Sequence, residues 1–202
     1  MTGERVFVSH APADLDTVTE LFAPVRNLPF AVHVALEEIE PGRSRHNLTG
    51  RLDNSDVAVA VLTESSVSNP WVNQEIGYAT ANGVPIVPLY EDESQRGGYV
   101  DRVEGVEIEP DSPQVTIFNL LCRLRSELAP LGALSVPNWF LQFPCNFEGC
   151  GEQVTLDIEA SQKELWRQHE HNHTLRTDCP ECGSTYHFEP ATLGFLERVD
   201  GV

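Results

Sequence analysis

The chain has 202 residues, 41% of them apolar, enough for a packed core and too many for a disordered chain. Its 13 basic residues face 31 acidic ones for a net charge of −18, and only one of the basics, Lys163, is a lysine. An acidic, lysine-poor surface suits a high-salt, halophilic cytoplasm, where ions screen carboxylate repulsion, and it disfavours nucleic acid as a partner. The longest clean apolar run, Val57–Leu62, is far short of the ~20 residues that span a bilayer, so no membrane segment is expected. No basic stretch leads into an apolar one after Met1, which predicts no signal peptide and a cytoplasmic location.

Short β-branched runs alternate with amphipathic stretches up to about residue 135. Val6–Val8, Ala31–Leu36, Val57–Leu62 and Pro85–Leu89 read as buried strands, with Val106–Ile108 a weaker fifth. Helices are predicted over roughly 15–26, 44–54, 70–82 and 113–128. Ser112 and Pro113 start the last of these, and Ile117, Leu120, Leu121 and Leu124 form its apolar face. Strand–helix alternation at this spacing predicts an α/β fold, a parallel sheet with helices on both faces.

A second unit is expected after a linker at 131–137, dividing the chain into 1–130 and 138–202. The second unit holds four of the five cysteines, together with His169, His171 and His173. Cys122 stands apart, in a helix with apolar neighbours, and reads as a buried free thiol.

Ligands of open parallel sheets bind beyond the carboxyl ends of the strands, where strand order reverses. Ser9-His10-Ala11-Pro12 follows the first strand, and Thr63 to Asn69 follows the third. Asn69 as N-cap and Pro70 in the first turn open a helix that carries Trp71 and Glu75 four residues apart, on one face. An aromatic plane beside a carboxylate at the mouth of an α/β sheet suits a nucleotide or nucleoside. Taken singly, Trp71 would read as packing, Glu75 as a solvated helix residue and Ser9 as a turn hydrogen-bonder.

Four motifs in order carry a family resemblance. Arg5-Val6-Phe7-Val8-Ser9-His10, then Glu37 to Arg43, then Trp71-x-x-x-Glu75, then Pro85-Ile86-Val87-Pro88 together resemble the successive motifs of a TIR domain over about 125 residues. The resemblance implies a flavodoxin-like sheet of five parallel strands. It also implies NAD+ as substrate, cleaved at the nicotinamide–ribose bond, with Glu75 as the catalytic carboxylate and a role in defence signalling. Ser9, His10 and Trp71 are the implied NAD+ contacts. Glu40, Gly42 and Arg43 match the loop that closes over NAD+ and mediates self-association. Ala11, Pro12 and Ala35 stand where catalytic relatives often carry polar or charged residues, which favours the alternative of a non-catalytic interaction module. Deoxyribosyl transfer on the same fold is a third option.

Cys145-x4-Cys150 and Cys179-x2-Cys182 form two knuckles flanked by Gly149, Gly151 and Gly183. In a reducing compartment such pairs predict a tetrahedral Zn²⁺ site, structural in role and similar to a zinc ribbon. Strands are expected at Gln153–Ile158 and Ser184–Phe188, with a helix between them that opens at a capping box from Ser161 to Glu164. The helix is expected to run to about His171, and His169 and His173, four apart in sequence, are the competing ligands. The ribbon is expected to dock a protein partner.

Overall fold

The computed structural model describes residues 5–23, 31–34, 50–128 and 139–201, with the backbone alone at 31–34 and 139. Strands β1 (Arg5–Ser9), β2 (Ala31–Val34), β3 (Val57–Leu62), β4 (Ile86–Tyr90) and β5 (Val106–Glu107) make one sheet in the order β2-β1-β3-β4-β5. Every pairing in it is parallel. Among the described residues this half carries the helices α1 (Leu15–Phe22), α3 (Pro70–Ala81) and α4 (Pro113–Leu128), with the short α2 (Glu64–Val67) before α3. The predicted helix over 44–54 falls largely outside the described residues, of which 50–52 are helical. So does the predicted linker.

Alternation along the central strands explains why helices cover both faces. All six residues of β3 are buried. Val57, Val59 and Val61 join Val6 and Val8 in one apolar cluster with α1 and α4. Their neighbours point the other way, Ala60 and Leu62 onto Val72 and Ile76 of α3, and Phe7 and Ala58 onto Leu52 and Ala79. Each fully buried valine or leucine contributes about 1.5–3 kcal/mol.

The cysteine-bearing half is antiparallel. β6 (Trp139–Pro144) pairs with β7 (Gln153–Ile158), and α5 (Gln162–Glu170) leads into a three-stranded sheet of β8 (Leu175–Asp178), β9 (Thr185–Phe188) and β10 (Phe195–Val199). Phe143 of β6 packs edge-on against Tyr186 of β9, with ring centroids 4.9 Å apart. Ser161 Oγ accepts from Glu164 N at 3.3 Å, capping α5.

The two halves share one apolar cluster, in which Leu120, Leu121 and Leu124 of α4 lie with Ile158, Leu165 and Tyr186. Phe118 of α4 stacks on Trp166 of α5 at 4.6 Å. Arg125 is the polar centre of this contact. Only 2% exposed, its guanidinium donates to Ile158 O at 3.2 Å, to Ala160 O at 3.1 Å and to Gln162 Oε1. Burial pulls its pKa down from the ordinary arginine value.

Candidate functional site

Ser9 ends β1, Thr63 follows β3, and α3 starts at Pro70, so all three meet at the switch point of the sheet, between β1 and β3. Asn69 caps α3, its side-chain oxygen accepting from Trp71 N at 2.9 Å, and Pro70 fills the first turn. That start fixes the phase of the helix. Glu75, one turn in, turns toward β1, where Ser9 Oγ donates to its Oε2 at 2.5 Å. Trp71 lies one turn nearer the helix start and is 47% exposed. Beneath Glu75 the cavity measures about 10 Å³, lined by Phe7, Ser9, Ala58, Ala60 and Ile76 among others, room for about one water.

The loops on either side of the site are tied together by a pair that the sequence did not announce. Buried Thr63 caps α2, its hydroxyl oxygen accepting from Ser65 N and Ser66 N at 3.1 Å, while Ser66 Oγ accepts from Thr63 N at 2.6 Å. The hydroxyl proton of Thr63 goes to buried Asp14, at 2.9 Å, and Asp14 also accepts from Ala11 N at 3.3 Å. The segment between β3 and α3 is therefore an ordered helix rather than a loop. A Thr-x-x-Ser box, weaker than the usual Thr-x-x-Glu, was its one sequence signal.

Of the residues singled out from sequence, Ser9 and Glu75 are in contact, and Trp71 lies four residues before Glu75 on α3, exposed. His10 is buried, with Nδ1–H donating to Ala11 O at 2.8 Å. Glu40, Gly42 and Arg43 lie outside the described residues, as does Ala35.

The second cluster is formed by the knuckles. Sγ atoms of Cys145, Cys150, Cys179 and Cys182 all lie within 4.8 Å of one another. Cys145–Cys182 is 3.6 Å and Cys150–Cys179 is 3.7 Å. Four sulfurs about 2.3 Å from a central Zn²⁺ stand about 3.8 Å apart at the corners of a tetrahedron, so the spacing fits a four-thiolate metal centre. Gly149, Gly151 and Gly183 take positive φ, 74°, 67° and 70°, in the turns that carry the sulfurs. Among the described residues no histidine joins the group. His169 pairs instead with Glu189, Nδ1 to Oε1 at 2.6 Å, and His171 Nδ1 bonds Arg167 O at 2.7 Å.

Hydrogen bonds around the thiols are uneven. The side chain and backbone of Ser184 pull Cys182 down to about 6. At Cys150 the Glu152 backbone bond also pulls down, but burial and the neighbouring thiols outweigh it and push this thiol up to about 12. Gly201 folds over the second knuckle so closely that a Cβ there would stand 2.2 Å from Cys182 O. Cys122, expected to be buried, is half-buried, and burial pushes its thiol up to about 11.

Among the described residues no helix is long and apolar enough to cross a membrane. A family model for the TIR domain matches residues 6–112. The TIR domain of the Toll-related receptor TRR-2 from Hydra magnipapillata is similar in structure, with a TM-score of 0.49 at 18% identity, over 59% of this chain and 97% of that one. The TIR domains of the activated Roq1 resistosome, which directly recognises the pathogen effector XopQ, give 0.49 at 17% identity, over 60% and 99%. A 2-desoxiribosyltransferase from Leishmania mexicana gives 0.38 at 15% identity, over 48% and 75%. Among curated proteins none matches.

Proposed function

The chain belongs to the TIR domain family, and from that premise we propose that it consumes NAD+, cleaving the nicotinamide–ribose bond with Glu75 as its catalytic carboxylate. The observation that carries this reading is the Ser9–Glu75 contact at the switch point of the sheet. Nicotinamide leaves a pyridinium ribose as a neutral molecule, so the site needs no general acid. It needs a fixed negative charge where the ribose becomes oxocarbenium-like, and a hold on the ribose hydroxyls. Glu75 supplies the charge and Ser9 Oγ orients it. Trp71 offers a plane for a base or nicotinamide ring. Glu40, Gly42 and Arg43 belong to the loop that would close on NAD+ and join neighbouring copies. Capture of the ribose by water gives hydrolysis; capture by an adenine nitrogen gives cyclisation.

In the same proposal, residues 138–202 form a zinc ribbon with an inserted helix, and Cys145, Cys150, Cys179 and Cys182 hold one structural Zn²⁺. The metal neutralises part of the thiolate charge and ties the knuckles together. The acidic, lysine-poor composition supports a high-salt cytoplasm as its setting and a protein, rather than nucleic acid, as the ribbon's partner.

Purified protein incubated with NAD+ in high salt, at rising protein concentration, is expected to release nicotinamide. Glu75→Gln should lower that release by about 10²–10³-fold while the protein stays folded. Unchanged release by the folded variant would remove Glu75 from the mechanism. A wild type that cleaves nothing, even when assembled, would favour a second reading, a non-catalytic interaction module. Ala11 and Pro12, which bring no charge to the loop after β1, are the observation on that side.

A further inference from the structure

We propose that Tyr186 is a positioning residue of the four-cysteine metal centre, its phenol donating to Cys145 Sγ so that this sulfur is held, aimed and shielded as a thiolate ligand. The proposal rests on the zinc reading above. Tyr186 is 2% exposed, and its hydroxyl oxygen lies 3.0 Å from Cys145 Sγ. The bond links residues 41 apart in sequence, one at the end of the β6 hairpin arm and the other in the middle of β9.

A phenol has one proton, and two acceptors stand 3.0 Å from this one, Cys145 Sγ and Asn146 Oδ1. The surroundings decide between them. Asn146 Oδ1 already accepts from Arg198 Nη1 at 2.7 Å, a charged donor. The Asn146 backbone N–H donates to the phenol oxygen at 3.0 Å, filling that oxygen's acceptor side. A metal-bound thiolate is anionic, and a hydrogen bond to an ionised acceptor outweighs one to an amide oxygen that is already served. The proton therefore goes to sulfur.

The position of the phenol oxygen is fixed by packing. The Tyr186 ring lies edge-on to Phe143 at 4.9 Å and against Phe195 at 6.3 Å. Arg198, which holds the amide end of the network, is itself held by Asp200 at 2.6 Å and lies over the Phe147 ring at 5.5 Å. Hydrogen bonds to a ligating sulfur fix its orientation and stabilise its thiolate form, which raises metal affinity at neutral pH, and by drawing charge from the sulfur they lower its reactivity toward electrophiles. Ser184 stands in the corresponding place for Cys182, its Oγ 3.3 Å from the sulfur.

Tyr186→Phe keeps the ring and removes only the hydroxyl. Zinc competition against a chromophoric chelator, run on the full chain, should show affinity lowered by about tenfold. In the Co²⁺-loaded protein the thiolate-to-metal charge-transfer band should shift. Arg198→Met frees Asn146 Oδ1 to compete for the phenol proton, and a smaller loss of affinity in the same direction is expected. It also stands in if Tyr186→Phe fails to fold. Wild-type affinity and an unchanged Co²⁺ spectrum in the variants would overturn the role of Tyr186, reducing it to packing. A wild type that takes up neither Zn²⁺ nor Co²⁺ would overturn the metal reading itself, a different result from the first.

Discussion

Strand β3 in the parallel sheet buries all six of its residues, whereas β8 has no fully buried residue and β10 leaves four of five exposed. A strand packed on both faces contributes its whole length to the core. A strand packed on one face contributes half, and an edge strand less. The parallel sheet therefore closes around its own side chains, between α1 and α4 on one side and α3 on the other. The cysteine unit has thin strands, turns that need glycine, and the four sulfurs at the middle of its fold. Apolar packing carries the first unit along its whole length, while in the second, on the zinc reading proposed above, a metal adds to the packing by offsetting the entropy of closing the knuckle loops.

The largest expected effect is on the cysteine unit. Chelation, or Cys179→Ser, is expected to remove a contribution of about 10–16 kcal/mol and to abolish amide protection across 139–201. Elemental analysis of the untreated protein should find one zinc per chain. A metal-free protein with a protected β6–β10 region would mean that the second unit also stands on apolar packing. The parallel sheet should keep its fold after chelation but melt lower, because α4 loses the cover of α5.

The next test targets the seam. Arg125→Met leaves the carbonyls of Ile158 and Ala160 without their guanidinium in a buried contact. A cost of about 3 kcal/mol is expected, lowering the melting temperature by about 10 °C. Calorimetry of the metal-loaded protein measures it, and a loss under ~1 kcal/mol would mean that the two units are energetically separate.

The smallest expected effect lies within the sheet half. Asn69→Ala removes the cap of α3 and should cost about 1 kcal/mol by chemical denaturation, with the metal site unaffected. A zinc affinity that changes with this variant would tie the two regions more closely than their packing accounts for.

Most of the parallel sheet was legible in the sequence, because buried parallel strands read as continuous apolar runs: β3 falls on Val57–Leu62 as expected, and β4 is displaced by one residue, to Ile86–Tyr90. α4 runs over 113–128 as its proline start and leucine face predict. The Ser9–Glu75 contact was legible only as a region, since the switch point and the order of the motifs brought both residues to one mouth of the sheet while neither alone carries a signal. The knuckles were legible from spacing. β6, β8 and β10 were not foreseen: β8 and β10 bury little and carry charged residues, and all three take their place by antiparallel pairing with the neighbouring strand in the chain rather than as long buried apolar runs. Asp14–Thr63, Arg125 and Tyr186 were missed for a related reason. Each works through a contact that only the folded chain creates.

Arg125 also has a consequence for geometry on a larger scale. Three of its acceptors belong to the end of β7, the following turn and the start of α5, so sliding α4 past them by one helical turn, about 5.4 Å, would break these three bonds at once. The cysteine unit is thus bolted to the sheet at one angle. If copies associate through the sheet half, the cysteine unit of each is carried along at that same angle.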